Sequence, residues 1–358
     1  MKKYSILLLT VALVLGSCED FLERPPLTQM NDETYWTNEN NLRLFANGFY
    51  PNYFNRYNTS FALDYTALGG YTFNDDLTSS GKQANFESQA PAGRASTSEL
   101  GGWLSTYNGP SWDFSWVRKS NHFLDRIDKM KGTYLEDEAH AHWSAVARFF
   151  RGYEYSRLVS VFGDVPYFGR VIGDSELDEL YKDRTDRTDV MDAVYDDFVY
   201  VLANMRLSDG NAQYLNRYIA AGFISRLMLF EGTWQKYHEG NNAKATQYLQ
   251  LAAEAGDLVI QSAKWSFGSD FRSLFGSENL AGNPEVLMYR AYDAAQTVTH
   301  SIASYSNITE SQNPAANLDL VKSFIATDGQ PYQLSAVPNA DEFDIGNLII
   351  TRDPRFEA

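Results

Sequence analysis

The sequence has little of what enzymes and metalloproteins usually depend on. Cys18 is its only cysteine, so the chain can form neither an internal disulfide nor a cysteine metal cluster. His140 and His142 are two residues apart and would face different sides of a helix, so we expect no shared metal site there. No HExxH, GxSxG, P-loop or GxGxxG motif occurs. These absences favour a binding protein over an enzyme, and they suggest no cofactor and no metal.

Positive charge is also scarce. The chain has 30 lysines and arginines against 46 aspartates and glutamates, which gives a formal net charge of −16. Nucleic acids and anionic lipid surfaces are bound by clustered basic residues. The charge balance therefore argues against both as partners. The hydrophobic fraction of 44% is ample for a large core, so the chain is not a disordered one.

The apolar run near the N-terminus, residues 6–15, is too short to span a bilayer comfortably. It follows two lysines and leads into the sequence Leu-Gly-Ser-Cys, which ends at Cys18 and is typical of a bacterial lipoprotein signal. We predict a signal peptide over residues 1–17, lipidation (palmitate included) at Cys18, and an extended tether over residues 18–31. The alternative is a short transmembrane anchor, which the length of the run and the acidic residues directly after it disfavour.

The clearest helical pattern covers residues 139–162, which contain no proline and one glycine. Its apolar residues recur at three- and four-residue spacings over a wide arc. They are Trp143, Ala145, Val146, Phe149, Phe150, Tyr153 and Tyr155. A helix with so wide an apolar arc must pack between neighbours. Gly163 and Pro166 predict its end, because glycine permits a positive φ and proline cannot continue a helix.

Further helices are predicted before Pro51, before the central helix, and after the polar connection that follows Pro166. Their expected ranges are 32–50, 112–130, 190–205, 215–237 and 242–262. In the third of these, Asp196 and Asp197 are most simply a solvated face. Residues 58–111 show no lasting apolar period and are rich in glycine. Because this stretch also carries aromatic residues, which disordered segments lack, we predict an ordered, functional loop.

A family resemblance rests on these elements. The run AxxWSAVARFFRGYEYSRLVSVFGDVPYF closely resembles the signature helix of the SusD/RagB family of surface lipoproteins of Bacteroidetes-type bacteria. The matching positions are Ala147, Arg148, Arg151, Tyr155, Leu158, Phe162, Gly163, Asp164, Val165 and Pro166. Other stretches resemble family elements in the same order, namely a helix with Phe114 and Asn121, a strand over residues 283–288, and the Asp-Pro-Arg motif at 353–355.

The resemblance implies a mainly α-helical domain over residues 32–358, built of tetratricopeptide-like helical hairpins with a long irregular insertion at 58–111. It implies a lipid-anchored protein of the cell outer membrane that faces the cell exterior. Such a protein would bind extracellular glycan, a poly- or oligosaccharide, and deliver it to a SusC-like TonB-dependent transporter for nutrient uptake. Members of the family normally continue beyond the Asp-Pro-Arg motif, so we expect the C-terminal part of the family fold to be missing.

The expected ligand site lies in the long loop. Trp103 follows Gly101 and Gly102, which leave one face of its ring uncrowded, and a sugar ring can lie flat on such a face. The expected neighbours of Trp103 are Tyr71, Asp75, Asp76, Arg94 and Tyr107, with Tyr292 and Tyr305 from later loops. Packing of Trp103 onto the helical body is the alternative. The aromatic residues within helices are expected in the core, namely Trp143, Phe149, Phe150, Phe223, Phe230 and Trp234.

Two other functions fit the same sequence. A RagB-like protein would take up peptides, and aromatic rings stack on peptide side chains as well as on sugars. A surface glycan-degrading enzyme would need only two carboxylates at a suitable separation. Release of reducing ends from polysaccharide would identify the enzyme.

Overall fold

The computed structural model describes residues 32–54, 77–78, 112–268, 270–298 and 315–356. Most of the described chain is helical, as predicted. In chain order the elements are α1 Asp32–Tyr35, α2 Glu39–Asn47, α3 Tyr50–Tyr53, β1 Leu77–Thr78, α4 Ser115–Met130, α5 Asp137–Phe162, α6 Leu177–Leu180, α7 Arg187–Asn204, α8 Arg217–Tyr237, α9 Asn242–Gln261, α10 Phe271–Phe275, β2 Ala315–Ala316, α11 Leu318–Ser323 and α12 Ile345–Thr351. Short 3-10 turns occur at Ala294–Gln296 and Pro354–Phe356.

The long helices stack in sequence order, with α5 in the centre. Helix α5 packs between α4 and α7, α7 contacts α8, and α8 pairs with α9 across a four-residue connection. Short connections of this kind produce the antiparallel hairpins that were predicted. Buried residues occur around the whole circumference of α5, so this helix lies between neighbours as its wide apolar arc predicts.

Two glycines allow the helices to approach each other closely. A Cβ atom on Gly152 of α5 would lie 2.6 Å from Cε1 of Phe198 on α7. A Cβ atom on Gly232 of α8 would lie 2.7 Å from Cγ of Leu249 on α9. Both distances are far inside van der Waals contact, so glycine is required at both positions.

The end of α5 is confirmed and has a second role. Gly163 has a φ of +68°, and its amide donates to the carbonyl of Val159. The Asp164 carboxylate then accepts the backbone N–H of Arg187 at 2.9 Å, at the first residue of α7. The turn that terminates α5 therefore also fixes the start of α7.

A buried ion pair joins α5 to α7, and it corrects one prediction. Asp197 was expected on a solvated face, but it is 2% exposed and accepts hydrogen bonds from Arg148 and Arg151. Arg151 also donates to the side chain of Asn121 on α4 and to the carbonyl of Gly169. The buried guanidinium thus links three helices and the connection after α5. Asp196 is exposed, as expected.

The structure changes three other expectations. The single helix predicted before Pro51 is divided into α1, α2 and α3, because Asn38 caps α2 and Pro51 lies in the first turn of α3, where proline is tolerated. Residues 283–288 form no strand, since no other strand lies beside them in the described chain. Phe230 is 48% exposed, so it is not a core residue.

The strands β1 and β2 are distant in sequence and pair antiparallel, with Leu77 opposite Ala316. This pair attaches the polypeptide between α3 and α4 to the polypeptide that precedes α11. Among the described residues, no helix is both long enough and apolar enough to cross a bilayer.

Candidate ligand cleft

A cleft of about 220 Å³ opens between α3, the segment that precedes α8 and the segment that follows α10. Its lining is mainly aromatic and amide, with one guanidinium group. The lining residues are Asn47, Tyr50, Pro51, Phe54, Gln213, Tyr214, Met288, Tyr289 and Arg290. Residues from three distant parts of the chain therefore meet here, and we call this cavity the aromatic cleft.

Tyr50 is held rigidly at the base of the aromatic cleft. Its ring lies edge-on to Phe150 of α5 at 5.5 Å and to Tyr214 at 6.0 Å. Its hydroxyl accepts the backbone N–H of Leu215 at 2.8 Å. Burial raises the pKa of this phenol, so it stays protonated. Tyr50 therefore positions the segment that leads into α8 and carries Tyr214.

Tyr214 forms one wall. The guanidinium of Arg43 lies over its ring at 5.4 Å and donates to Asp209 at 2.6 Å. Asp209 in turn lies 3.4 Å from Nε2 of His142, a fully buried residue of α5. This chain of contacts anchors the Tyr214 wall to the central helix.

The segment Met288–Arg290 forms another part of the lining. The amide of Tyr289 donates to the carbonyl of Ala212 at 3.2 Å, and the amide of Ala291 donates to the side chain of Gln213 at 3.1 Å. These bonds hold the segment against the residues before α8. The Arg290 guanidinium lies 5.5 Å from the ring of Tyr292 and forms no ion pair with the described residues. It is thus a cation that remains available to a ligand.

Phe54 closes one end of the aromatic cleft. Its ring contacts Phe223 of α8 at 5.4 Å and Tyr153 of α5 at 6.0 Å. The same residue is the last one described before residues 55–76. The described segment that precedes the long insertion in sequence therefore ends at this cleft.

The chemistry of the aromatic cleft is that of recognition. Aromatic rings offer flat apolar faces, and the guanidinium and amide groups can hydrogen-bond to hydroxyl or carbonyl oxygens. No carboxylate lines the cleft in the described chain, so acid–base chemistry has no evident group there. A search of the described residues also found no group of three potential metal ligands.

Most of the predicted site residues lie outside the described residues. These are Cys18, Tyr71, Asp75, Asp76, Arg94, Trp103, Tyr107 and Tyr305. Tyr292 is described, and its ring lies 5.5 Å from the guanidinium of Arg290, which lines the aromatic cleft. Asp76 directly precedes β1 in sequence, and β1 pairs with the strand that follows residues 299–314. The placement of the expected ligand residues other than Tyr292 stays a prediction.

Sequence reasoning missed the aromatic cleft itself. Tyr50 was expected only as the last residue of the predicted helix 32–50, and no role was expected for Tyr214. The run Tyr289-Arg290-Ala291-Tyr292 did contain a signal, because an arginine between tyrosines in a loop is a common composition of binding surfaces.

The chain is similar to several known proteins. No protein-family model matches it. It is 24% identical over 291 residues to SusD-like protein P2 of Formosa agariphila, and the matched segment covers 80% of this chain and 52% of that protein. It is also 24% identical over 230 residues to SusD-like protein P25 of the same organism, with 61% and 41% covered. The chain thus spans about half the length of these curated relatives or less.

Solved structures share the fold. A SusD-like carbohydrate-binding protein from Bacteroides fragilis superposes with a TM-score of 0.62 over 90% of this chain and 60% of its own, at 20% identity. A second SusD-like protein from the same species superposes with a TM-score of 0.58 over 93% and 62%, at 17% identity.

Proposed function

We propose that this chain, which is similar to SusD-like proteins in sequence and shares their fold, binds extracellular glycan and delivers it to a SusC-like TonB-dependent transporter. The glycan would be a poly- or oligosaccharide taken up as a nutrient. The first of the similar solved structures carries the name of a carbohydrate-binding protein, which supports the ligand class. No catalytic step is part of the proposal.

The observation that carries the proposal is the composition of the aromatic cleft. Tyr214 and Tyr289 both line it, and Arg290 is a cation without an ion pair in the described chain. Sugar rings present apolar C–H faces and hydroxyl edges, so rings and a guanidinium placed together can bind both surfaces. The cleft is also lined by Phe54, which precedes in sequence the insertion in which Trp103 is predicted to act as a platform.

The test is a binding survey with defined variants. The purified protein without residues 1–17 is run in native gels cast with individual soluble polysaccharides, and each hit is measured by calorimetry. Loss of a stacking ring or of a charged hydrogen bond typically costs about 1–3 kcal/mol. We therefore expect Tyr289→Ala and Arg290→Ala each to weaken binding about ten- to a hundredfold.

The matched control is Arg118→Ala. Arg118 is exposed on α4, has no ion pair among the described residues, and lines none of the cavities described. The Arg118→Ala variant should bind polysaccharide with the affinity of the unchanged protein. If the Arg290→Ala variant binds polysaccharide as tightly as the unchanged protein, the aromatic cleft is not the binding site. Binding of peptides without any polysaccharide would favour the RagB-like alternative, and release of reducing ends would favour the enzyme.

The location of the protein is part of the proposal. We propose that Cys18 is lipidated and anchors the chain at the outer surface of the outer membrane. Cys18→Ala should move the protein from the washed membrane fraction to the soluble fraction. A variant that stays with the membranes after washing would contradict lipid anchoring at this residue.

A further inference from the structure

A second cavity lies between α5 and α8, with α7 beneath it. It has a volume of about 310 Å³, within the usual range for small-ligand sites. Its lining combines guanidinium groups, hydroxyl groups and aromatic rings. The lining residues are Tyr153, Ser156, Arg157, Ser160, Met191, Phe223, Arg226, Leu227, Phe230 and Glu231. We call this cavity the α5–α8 crevice.

The α5–α8 crevice is separate from the aromatic cleft. Phe54, which closes the aromatic cleft, packs against Phe223 and Tyr153, and these two rings line the crevice. Phe223 and Tyr153 also contact each other edge-on at 5.7 Å. No residue lines both cavities.

The charges of the α5–α8 crevice leave one cation unpaired. Arg157 forms an ion pair with Glu154 at 2.9 Å, and the fully buried Glu231 forms one with Arg187 at 2.6 Å. Arg226 is exposed and has no hydrogen bond from its side chain and no ion pair with the described residues. Acidic residues outnumber basic ones by 16 in this chain, yet this arginine at the cavity wall has no carboxylate partner among the described residues. The open guanidinium can accommodate one anionic group of a ligand.

The other polar groups suit a ligand that carries hydroxyls. The hydroxyl of Ser156 donates to the carbonyl of Gly152 and that of Ser160 donates to the carbonyl of Arg157, each at 2.8 Å. Their donor hydrogens are therefore used within α5, and their oxygen lone pairs remain as acceptors. A ligand hydroxyl can donate to them.

The aromatic wall offers an apolar surface beside these polar groups. Phe230 is 48% exposed and lies one helical turn from Arg226 on α8. Side chains four residues apart on a helix lie next to each other, so a ring face and a guanidinium are presented together. A group that binds both needs a flat apolar face and a negative charge.

We propose that the α5–α8 crevice is a second ligand site, for a carboxylated sugar unit such as a uronic acid. The carboxylate would pair with Arg226, the ring would lie against Phe230, and hydroxyls would donate to Ser156 and Ser160. The class of ligand assigned here rests on the proposed glycan-binding function. The residues that form the crevice are not those that form the aromatic cleft.

The test uses glucuronate, with glucose and acetate as partial analogues. Saturation-transfer NMR and calorimetry on the protein without residues 1–17 should detect glucuronate. Arg226→Gln should weaken glucuronate binding about ten- to a hundredfold, because it removes a charge-assisted hydrogen-bonding pair. Phe230→Ala should weaken it while leaving any acetate binding unchanged. Arg118→Gln is the matched control, and circular dichroism verifies that each variant is folded.

Each outcome bears on the assignment. Loss of glucuronate binding in Arg226→Gln, with partial recovery in Arg226→Lys, supports it. Equal binding of glucose would show that the charge of Arg226 has no role, and equal binding of acetate would show that the sugar ring has none; either overturns the site. Absence of glucuronate binding to the unchanged protein overturns it as well. Binding of polysaccharide at the aromatic cleft, measured through Arg290→Ala, would stand in all these cases, so failure of the second site is distinguishable from failure of the proposed function.

Discussion

Replacement of Asp197 tests the central packing of this fold. Its carboxylate accepts three hydrogen bonds of 2.7–2.8 Å, one from Arg148 and two from Arg151. Arg151 is 5% exposed, so Asp197→Ala would leave a buried guanidinium without its counter-charge. Removing one partner of a buried ion pair costs about 3–5 kcal/mol. Since domains are stable by about 5–15 kcal/mol, this is a large share of the free energy of unfolding.

The assay is urea unfolding followed by far-ultraviolet circular dichroism. Asp196→Ala is the matched control, because Asp196 is the exposed neighbour and its loss should change stability by less than about 0.5 kcal/mol. The double replacement Arg151→Met with Asp197→Leu should cost less than Asp197→Ala, because no charge is then buried unpaired. A loss of less than about 1 kcal/mol for Asp197→Ala, similar to that of the control, would show that the buried pair does not hold α5 and α7 together.

Two further predictions concern the residues around α5. Burial alone would raise the pKa of Asp209, but the His142 ring 3.4 Å away and the hydrogen bond from Arg43 outweigh burial and hold that pKa below its ordinary range. Asp209 therefore contributes stability above about pH 4, and this stability is lost as the pH falls below that value. In the Asp209→Asn variant the melting temperature should fall less steeply at acid pH than in the unchanged protein. The same acid dependence in both proteins would contradict this. Gly163→Val should lower stability by more than about 1 kcal/mol, because valine is strained at a φ of +68° although no atom obstructs its Cβ. An unchanged melting temperature would show that this backbone geometry is not required.

Most of the helical framework could be predicted from local sequence. The end of α5 at Gly163 follows from the conformational freedom of glycine and from the proline three residues later, both of which are local properties. The separation of α8 from α9 at residues 238–241 follows from an interruption in the helical pattern. The division before Pro51 was not predicted, because capping by Asn38 competes with a helical pattern that is otherwise continuous.

The candidate site depended far more on tertiary structure. Tyr50, Tyr214 and Tyr289 belong to segments separated by more than 70 residues, and no local pattern indicates that their rings surround one cavity. The same is true of Arg226, whose guanidinium matters only because neighbouring charges already have partners.

The sequence by itself determined the composition of the helices, the end of the central one and the family resemblance, because these depend on residue type and on spacing along the chain. Only the tertiary structure decided which polar residues are buried. Asp196 and Asp197 are adjacent and chemically identical, yet one is exposed and the other is paired with Arg151, a residue 46 positions away. The burial of a charge depends on whether a partner from another helix reaches it, and that is a property of how α5 and α7 pack.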